Sequence, residues 1–270
     1  MHPKSDFGTH FRQLRKDQGI SQQKFAERAQ MSYRHVNFLE NNRSMPSREM
    51  VLRIARTLEL SLKHANLLLR SAGFTPSYKA TPLDDDTMAF AKSALLRILD
   101  HQNPYPGIVM TPIGGLLMAN DATLAILSQF VPADELQGIN NIYEFILTDK
   151  RMKQSIVNWD QLAPKILAFV RQEVLEIDPN SESFQLLHRL ESQTELQSQR
   201  DPNEMYSLDS PIFNLRFKLE DIEINFFSTY TTFGTPHDVA LQELRIECFF
   251  PADDVTKKFC NDLQTSSTPK

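Results

Sequence analysis

Over its first 72 residues the chain repeats one pattern: a short apolar stretch of helical period, cut off by a turn or capping residue within about three turns. Phe7, Phe11 and Leu14 recur at helical spacing, and Gly19 ends their helix. Ser21 caps a second helix, Gln22 to Ala29, that buries Phe25 and Ala26. Ser32 caps a third, which runs to Glu40 with Val36 and Leu39 inward. Asn41 and Asn42 stop it, because asparagine tolerates the left-handed backbone of a helix end. Pro46 and Ser47 open a fourth helix with Met50, Leu52, Ile54, Ala55 and Leu58, and Ser61 caps a fifth with Leu62, Ala65, Leu68 and Leu69. The prediction is a compact all-α domain of five helices over residues 1–72.

Charge divides the chain at the same place. Residues 1–72 carry 13 Lys and Arg against 6 Asp and Glu, whereas residues 73–270 carry 16 against 28. The whole-chain pI of about 5.8 hides this split. A basic segment fused to an acidic one is expected where the first faces phosphate and the second stays off it. With 41% hydrophobic and 23% charged residues, the 270-residue chain is an ordinary globular one, long enough for one large or two smaller domains. No stretch reaches the roughly 18 apolar residues of a membrane helix, and Met1 to His10 lacks the apolar run of a signal peptide. The expectation is a cytoplasmic protein that does not contact membranes. Cys248 and Cys260 form no CxxC pair and have no histidine nearby, so no metal site is indicated; both are read as reduced, Cys248 as buried.

Residues 73–87, with two prolines, a glycine and an acidic triplet, read as a linker. A connecting helix follows over 88–101, with Ala91, Leu95 and Ile98 on one face. From Gly107 the pattern becomes a hairpin (Ile108 to Met110, a Pro-x-Gly-Gly turn at 112–115, Leu116 to Ala119), with Asn120 capping the next helix. Residues 142–199 read as mostly helical. Three alternating strands follow: Phe213, Leu215, Phe217 and Leu219; Ile222, Ile224, Phe226, Ser228 and Tyr230; Leu244, Ile246, Cys248 and Phe250. The second domain, 88–262, is therefore expected to be α+β, an antiparallel sheet with one side covered by helices. Residues 263–270 read as a disordered tail, and the polar segment 191–207 as a loop with no assigned role.

The segment from Ile20-Ser21-Gln22 to Glu40 resembles the Cro/repressor-type (XRE) helix-turn-helix family in its Ser-Gln start, its small Ala26 and its closing Leu39-Glu40 pair. In that family the third helix enters the major groove of a double-stranded DNA operator. The resemblance implies base-edge contacts by Tyr33, Arg34, Asn37 and Phe38. Arg34 suits bidentate recognition of guanine, Asn37 an adenine edge or a phosphate, and Phe38 a thymine methyl. Gln22, Arg43 and Ser47 fall at phosphate-positioning sites. Glu40 matches a family carboxylate that pairs with a first-helix arginine, here Arg15, as a structural ion pair.

SREMVLRIARTLELSLKHANLLLRSAGF from Ser47, DHQNPYPGIV at 100–109 and FFSTYTTFGTPHDVALQELRIECFFPAD at 226–253 resemble the MmyB-like group of regulators. That resemblance covers nearly the whole chain and implies a PAS-like ligand-binding domain, with a fatty acid or other apolar small molecule as effector. A sheet with helices on one face can hold such a ligand between them. Candidate lining residues are Met118, Leu127, Phe145, Trp159, Ile166, Phe226, Tyr230 and Phe233, plain core packing being the alternative for each. His237, Tyr230 or Arg216 could hold a carboxylate head group.

No glycine-rich phosphate loop, GxSxG elbow or HExxH motif is present, so neither an enzyme nor a resident cofactor is indicated. The leading expectation is a ligand-responsive homodimer whose effector alters the spacing of two DNA-binding domains. The alternative is a helix-turn-helix regulator whose second domain docks a protein partner; a haem-binding sensor is a further variant.

Overall fold

A computed structural model describes residues 7–174, 181–194, 214–234 and 236–267. The chain forms two compact units: Met1–Met88 together with Phe233–Gln242, and Ala89–Thr232 together with Glu243–Lys270.

The first unit holds five helices, α1 (Phe7–Asp17), α2 (Gln22–Arg28), α3 (Tyr33–Glu40), α4 (Arg48–Thr57) and α5 (Leu62–Ser71). Four begin at a serine whose side chain accepts a backbone N–H of the first turn: Ser21 from Lys24, Ser32 from His35, Ser47 from Met50 and Ser61 from His64. Their apolar stripes meet around Phe7, Phe11 and Phe25, with the Phe11 and Phe25 rings edge-on at 5.0 Å. Gly8 lets α1 close on the end of α3, since a Cβ there would meet Leu39 O at 2.5 Å. Asn42 takes the left-handed conformation (φ +53°), and its Oδ1 accepts from Gly8 N at 2.9 Å.

Residues 73–87 differ from a free linker. The buried Asn66 donates to Tyr78 O at 2.7 Å and accepts from Ser77 N and Tyr78 N at 2.9 and 3.0 Å. Arg48 donates to Thr75 O at 2.7 Å and to Ser77 Oγ at 2.6 Å. This hold is polar, so it leaves no apolar period in the sequence. Residues 233–242, expected within the second domain, also belong to the first unit. Val239 N donates to Lys79 O at 2.8 Å, and Gln242 Oε1 accepts from Leu62 N at 2.6 Å.

The second unit is α+β. Its elements are α6 (Ala89–Gln102), β1 (Gly107–Met110), β2 (Leu116–Ala119), α7 (Asp121–Leu127), α8 (Ala133–Leu136), α9 (Ile142–Thr148), α10 (Lys150–Ser155), α11 (Trp159–Glu173), α12 (Glu182–Gln193), β3 (Asn214–Leu219), β4 (Ile222–Thr231), α13 (Val239–Glu243, begun in the first unit), β5 (Arg245–Pro251) and α14 (Asp254–Ser267). The strands form one antiparallel sheet in the order β2-β1-β5-β4-β3. Buried Asn120 fixes its start: it caps α7 at Thr123 N (3.0 Å), accepts from Gly107 N (3.0 Å) and donates to Tyr105 O (2.9 Å).

Four expectations change here. The central strand β5 is buried on both faces, so its polarity pattern misleads. Register pairs Tyr230 with Glu247 and Ser228 with Phe249, which puts Glu247 and Phe249, rather than Ile246 and Cys248, on the inner face with Tyr230. In α6 the buried residues are Leu95 and Leu99, one turn apart, and Ile98 is exposed. This helix also covers part of the opposite sheet face: a Cβ on Gly107 would meet Leu99 and Gln102 side chains at 3.1 Å. Residues 263–267, expected as tail, continue α14 because Phe259, Cys260 and Leu263 pack on the core. Of the segment 191–207, Glu191 to Gln193 finish α12, Glu191 accepting from Arg171 Nε at 2.7 Å, while 195–207 and Phe213 lie outside the described residues.

Candidate functional site

The first candidate surface is the outer side of α3. Tyr33 and Arg34 are exposed in its first turn, and the Arg34 guanidinium lies 5.2 Å from the centroid of half-buried Phe38. This contact steadies a long cation that would otherwise sample many rotamers. Asn37 lies one turn along, accepting from Asn41 Nδ2 at 3.2 Å, with Gln22 Oε1 at 3.5 Å from its own Nδ2. The four side chains Tyr33, Arg34, Asn37 and Phe38 therefore lie together on the helix. Arg43 is exposed beyond its end, and exposed Ser47 spends its hydroxyl oxygen on capping α4.

Beneath them Glu40, only 2% exposed, ties three helices together. It accepts from Arg15 Nε at 2.5 Å and Nη2 at 3.0 Å, and from Gln22 Nε2 at 2.7 Å. Gln22 is thus held by Glu40 rather than free. Arg12 completes the junction by donating to Glu40 O at 2.9 Å and Asn41 Oδ1 at 2.7 Å. A buried carboxylate saturated in this way acts as a geometric fixture, setting the angle at which α3 is presented.

The second candidate is a cavity of about 200 Å³ in the second unit. Helix α9 contributes Ile142, Tyr143 and Ile146, α11 contributes Leu162, Lys165, Ile166 and Phe169, and the sheet contributes Ile108, Leu215, Tyr230, Glu247 and Phe249. Eight of these twelve are hydrocarbon side chains. Tyr230 stacks on Phe169 with ring centroids 6.2 Å apart. Gly114 (φ +85°) lets Tyr143 in, because a Cβ there would stand 2.5 Å from the ring.

Tyr143, Tyr230 and Glu247 form one polar cluster. Burial pushes the Glu247 carboxyl up to about 7, against the opposing pull of the nearby Ser228 and Tyr230 hydroxyls. Ser228 Oγ makes no hydrogen bond of ordinary geometry among the described residues, so it acts on the carboxyl as a neighbouring dipole. Burial, followed by the Glu247 charge, also raises the phenol of Tyr143 far above the usual range, and the same two causes push Tyr230, which is 43% exposed, in the same direction.

Of the residues expected to line a ligand site, Ile166 and Tyr230 face this cavity. Leu127, Trp159 and Phe226 are buried core, Phe145 packs against that core, and Met118 lies half-buried on β2. Exposed Arg216 faces away and donates to Glu223 Oε1 at 2.7 Å. Phe233 and exposed His237 belong to the first unit. Sequence reasoning did not single out Tyr143, Lys165 or Glu247. A lone acid inside the β5 run of apolar residues was the available signal, and α11 places Lys165 one turn before Phe169. Cys248 and Cys260 are unbridged and buried, with the Cys260 thiol pushed up to about 11 by burial. No group of three or more potential metal ligands occurs among the described residues, nor any helix long and apolar enough to cross a membrane.

A five-helix unit with a reading helix, joined to an α+β unit enclosing a cavity, defines a DNA-binding regulator with a ligand-binding domain. Family models agree over both parts: residues 11–64 match a helix-turn-helix model, and residues 91–263 match the MmyB-like transcription regulator ligand binding domain. The second match spans more than half of the chain, which belongs to the family of MmyB-like transcription regulators. No curated protein matches it.

Proposed function

We propose that this regulator acts in the cytoplasm as a homodimer, reading its operator with Tyr33, Arg34, Asn37 and Phe38 of α3 and holding an apolar effector, a fatty acid or related acyl compound, in the cavity between α9, α11 and the sheet. Arg43, Ser47 and Gln22 position the helix on the phosphates. The observation that carries the effector reading is the cavity itself: a space of about 200 Å³ walled mostly by hydrocarbon, with Tyr143, Tyr230 and Glu247 interacting on its wall. The strand order β2-β1-β5-β4-β3 supports a PAS-like reading of the second unit. The regulatory character of both matched families supports a sensor without catalytic activity or a resident cofactor.

Effector and operator must be energetically linked for the ligand to regulate, so effector affinity differs with and without operator DNA. The test is native mass spectrometry of the purified full-length chain, then extraction and identification of any bound molecule. A dimer carrying one acyl compound per protomer is the expected result. A ligand-free protein that binds no acyl compound in titration would overturn the effector reading and favour a protein-docking role for the second unit.

A further inference from the structure

The cavity has an unbalanced charge plan. Glu247 is 4% exposed and lines it, and no Lys, Arg or His forms an ion pair with this carboxyl among the described residues. Arg245, two residues earlier on β5, is 3.9 Å from Glu173, and Lys165, the one cationic side chain of the lining, makes no pair with Glu247. Beside the acid, the buried Ser228 Oγ makes no hydrogen bond of ordinary geometry among the described residues. Buried acceptors of this kind carry a desolvation cost that a bound donor relieves.

We propose that Glu247 is the head-group receptor of the cavity, and that the effector is a hydrocarbon-chain compound whose polar end donates hydrogen bonds, a primary amide or an amine, in preference to a free carboxylate. This rests on the cavity being the effector site. An N–H donor satisfies the carboxyl directly, and the Ser228 and Tyr230 hydroxyls stand next to it to complete the pocket. A carboxylate in the same place sets two like charges together in a medium of low polarity, unless a proton is taken up first. At pH 8, above the Glu247 value of about 7, that proton is lacking.

The experiment is calorimetric titration of the full-length protein at pH 8 with octanamide, octylamine and octanoate, which share one chain short enough for the cavity. The amide and the amine are expected to bind about tenfold or more tighter than octanoate. Glu247→Gln should bring the three within about threefold of one another, chiefly by weakening the amine. Octanoate binding as tightly as the amide in the parent protein, and losing affinity in Lys165→Gln but not in Glu247→Gln, would overturn the proposal and assign the head group to Lys165. Equal binding of all three also overturns it while leaving the cavity reading intact. Failure of all three to bind, with Ile166→Trp indistinguishable from the parent in every titration, removes the cavity reading as well.

Discussion

Thr81 and Asp238, far apart in sequence, are held together: Thr81 Oγ1 donates to Asp238 Oδ2 at 2.7 Å, and Thr81 N lies 3.2 Å from both carboxylate oxygens. Asp238→Ala removes all of this, together with the bond from Ala240 N to Asp238 Oδ1 at 2.8 Å. The expected cost is about 1–2 kcal/mol, felt locally. Hydrogen exchange should quicken at Thr81, Val239 and Ala240, whose amides the latch holds, and stay unchanged across α2 and α3. Uniform acceleration throughout the first unit would contradict a local latch.

The Arg15–Glu40 pair is buried and bidentate, so Glu40→Gln leaves a buried guanidinium uncompensated. A loss of about 3 kcal/mol is expected, confined to the first unit. Trp159, the single tryptophan, lies in the second unit, so its fluorescence is a separate reporter. In a urea titration the helical circular dichroism should begin to fall earlier in Glu40→Gln while the fluorescence midpoint stays put. Coincident movement of both signals would mean that the two units melt as one.

Arg34 and Arg43 should fail differently. If Arg34 reads guanine, Arg34→Ala costs about 1–3 kcal/mol on the selected operator and little on random DNA. If Arg43 meets phosphate, Arg43→Ala weakens both alike and lowers the slope of affinity against salt by about one. Gel-shift titrations at several salt concentrations, on a site enriched from random sequence, separate the two roles.

Glu247 makes stability depend on pH. Its folded value of about 7 lies above the ordinary 4.5, so the folded chain retains a proton that the unfolded chain gives up. The benefit is complete below the unfolded value and disappears as pH rises through 7, a change on the order of 3 kcal/mol. Glu247→Gln should therefore unfold at higher urea than the parent at pH 8 and gain little at pH 5. A gain of equal size at both values would show that the carboxyl does not titrate in this window.

Much of the first unit is written locally. Ser21, Ser32, Ser47 and Ser61 each announce a helix start, and Asn42 announces a stop, because caps depend on residues three or four apart. The site is less legible, for reasons that differ by residue. Arg216 could have been placed outside from alternation alone, since Leu215 and Phe217 point inward. Glu247 could not, because β5 is covered on both faces and neither half of its pattern marks an interior. The contribution of residues 233–242 to the first unit is invisible by any local rule: its partners are the backbone of Leu62 and Lys79 and the Thr81 side chain and amide, chosen by the tertiary fold.

That borrowed segment bears on how the protein is made. A nascent chain emerges N-terminus first, and α1 to α5 leave the ribosome early. Their unit gains its last strap only after Gln242 has been synthesised, when nearly all of the sensor sequence is already out. Until then Leu62 N, Lys79 O and Thr81 lack the partners they have in the finished fold, so this edge of the first unit is the last of it to be completed.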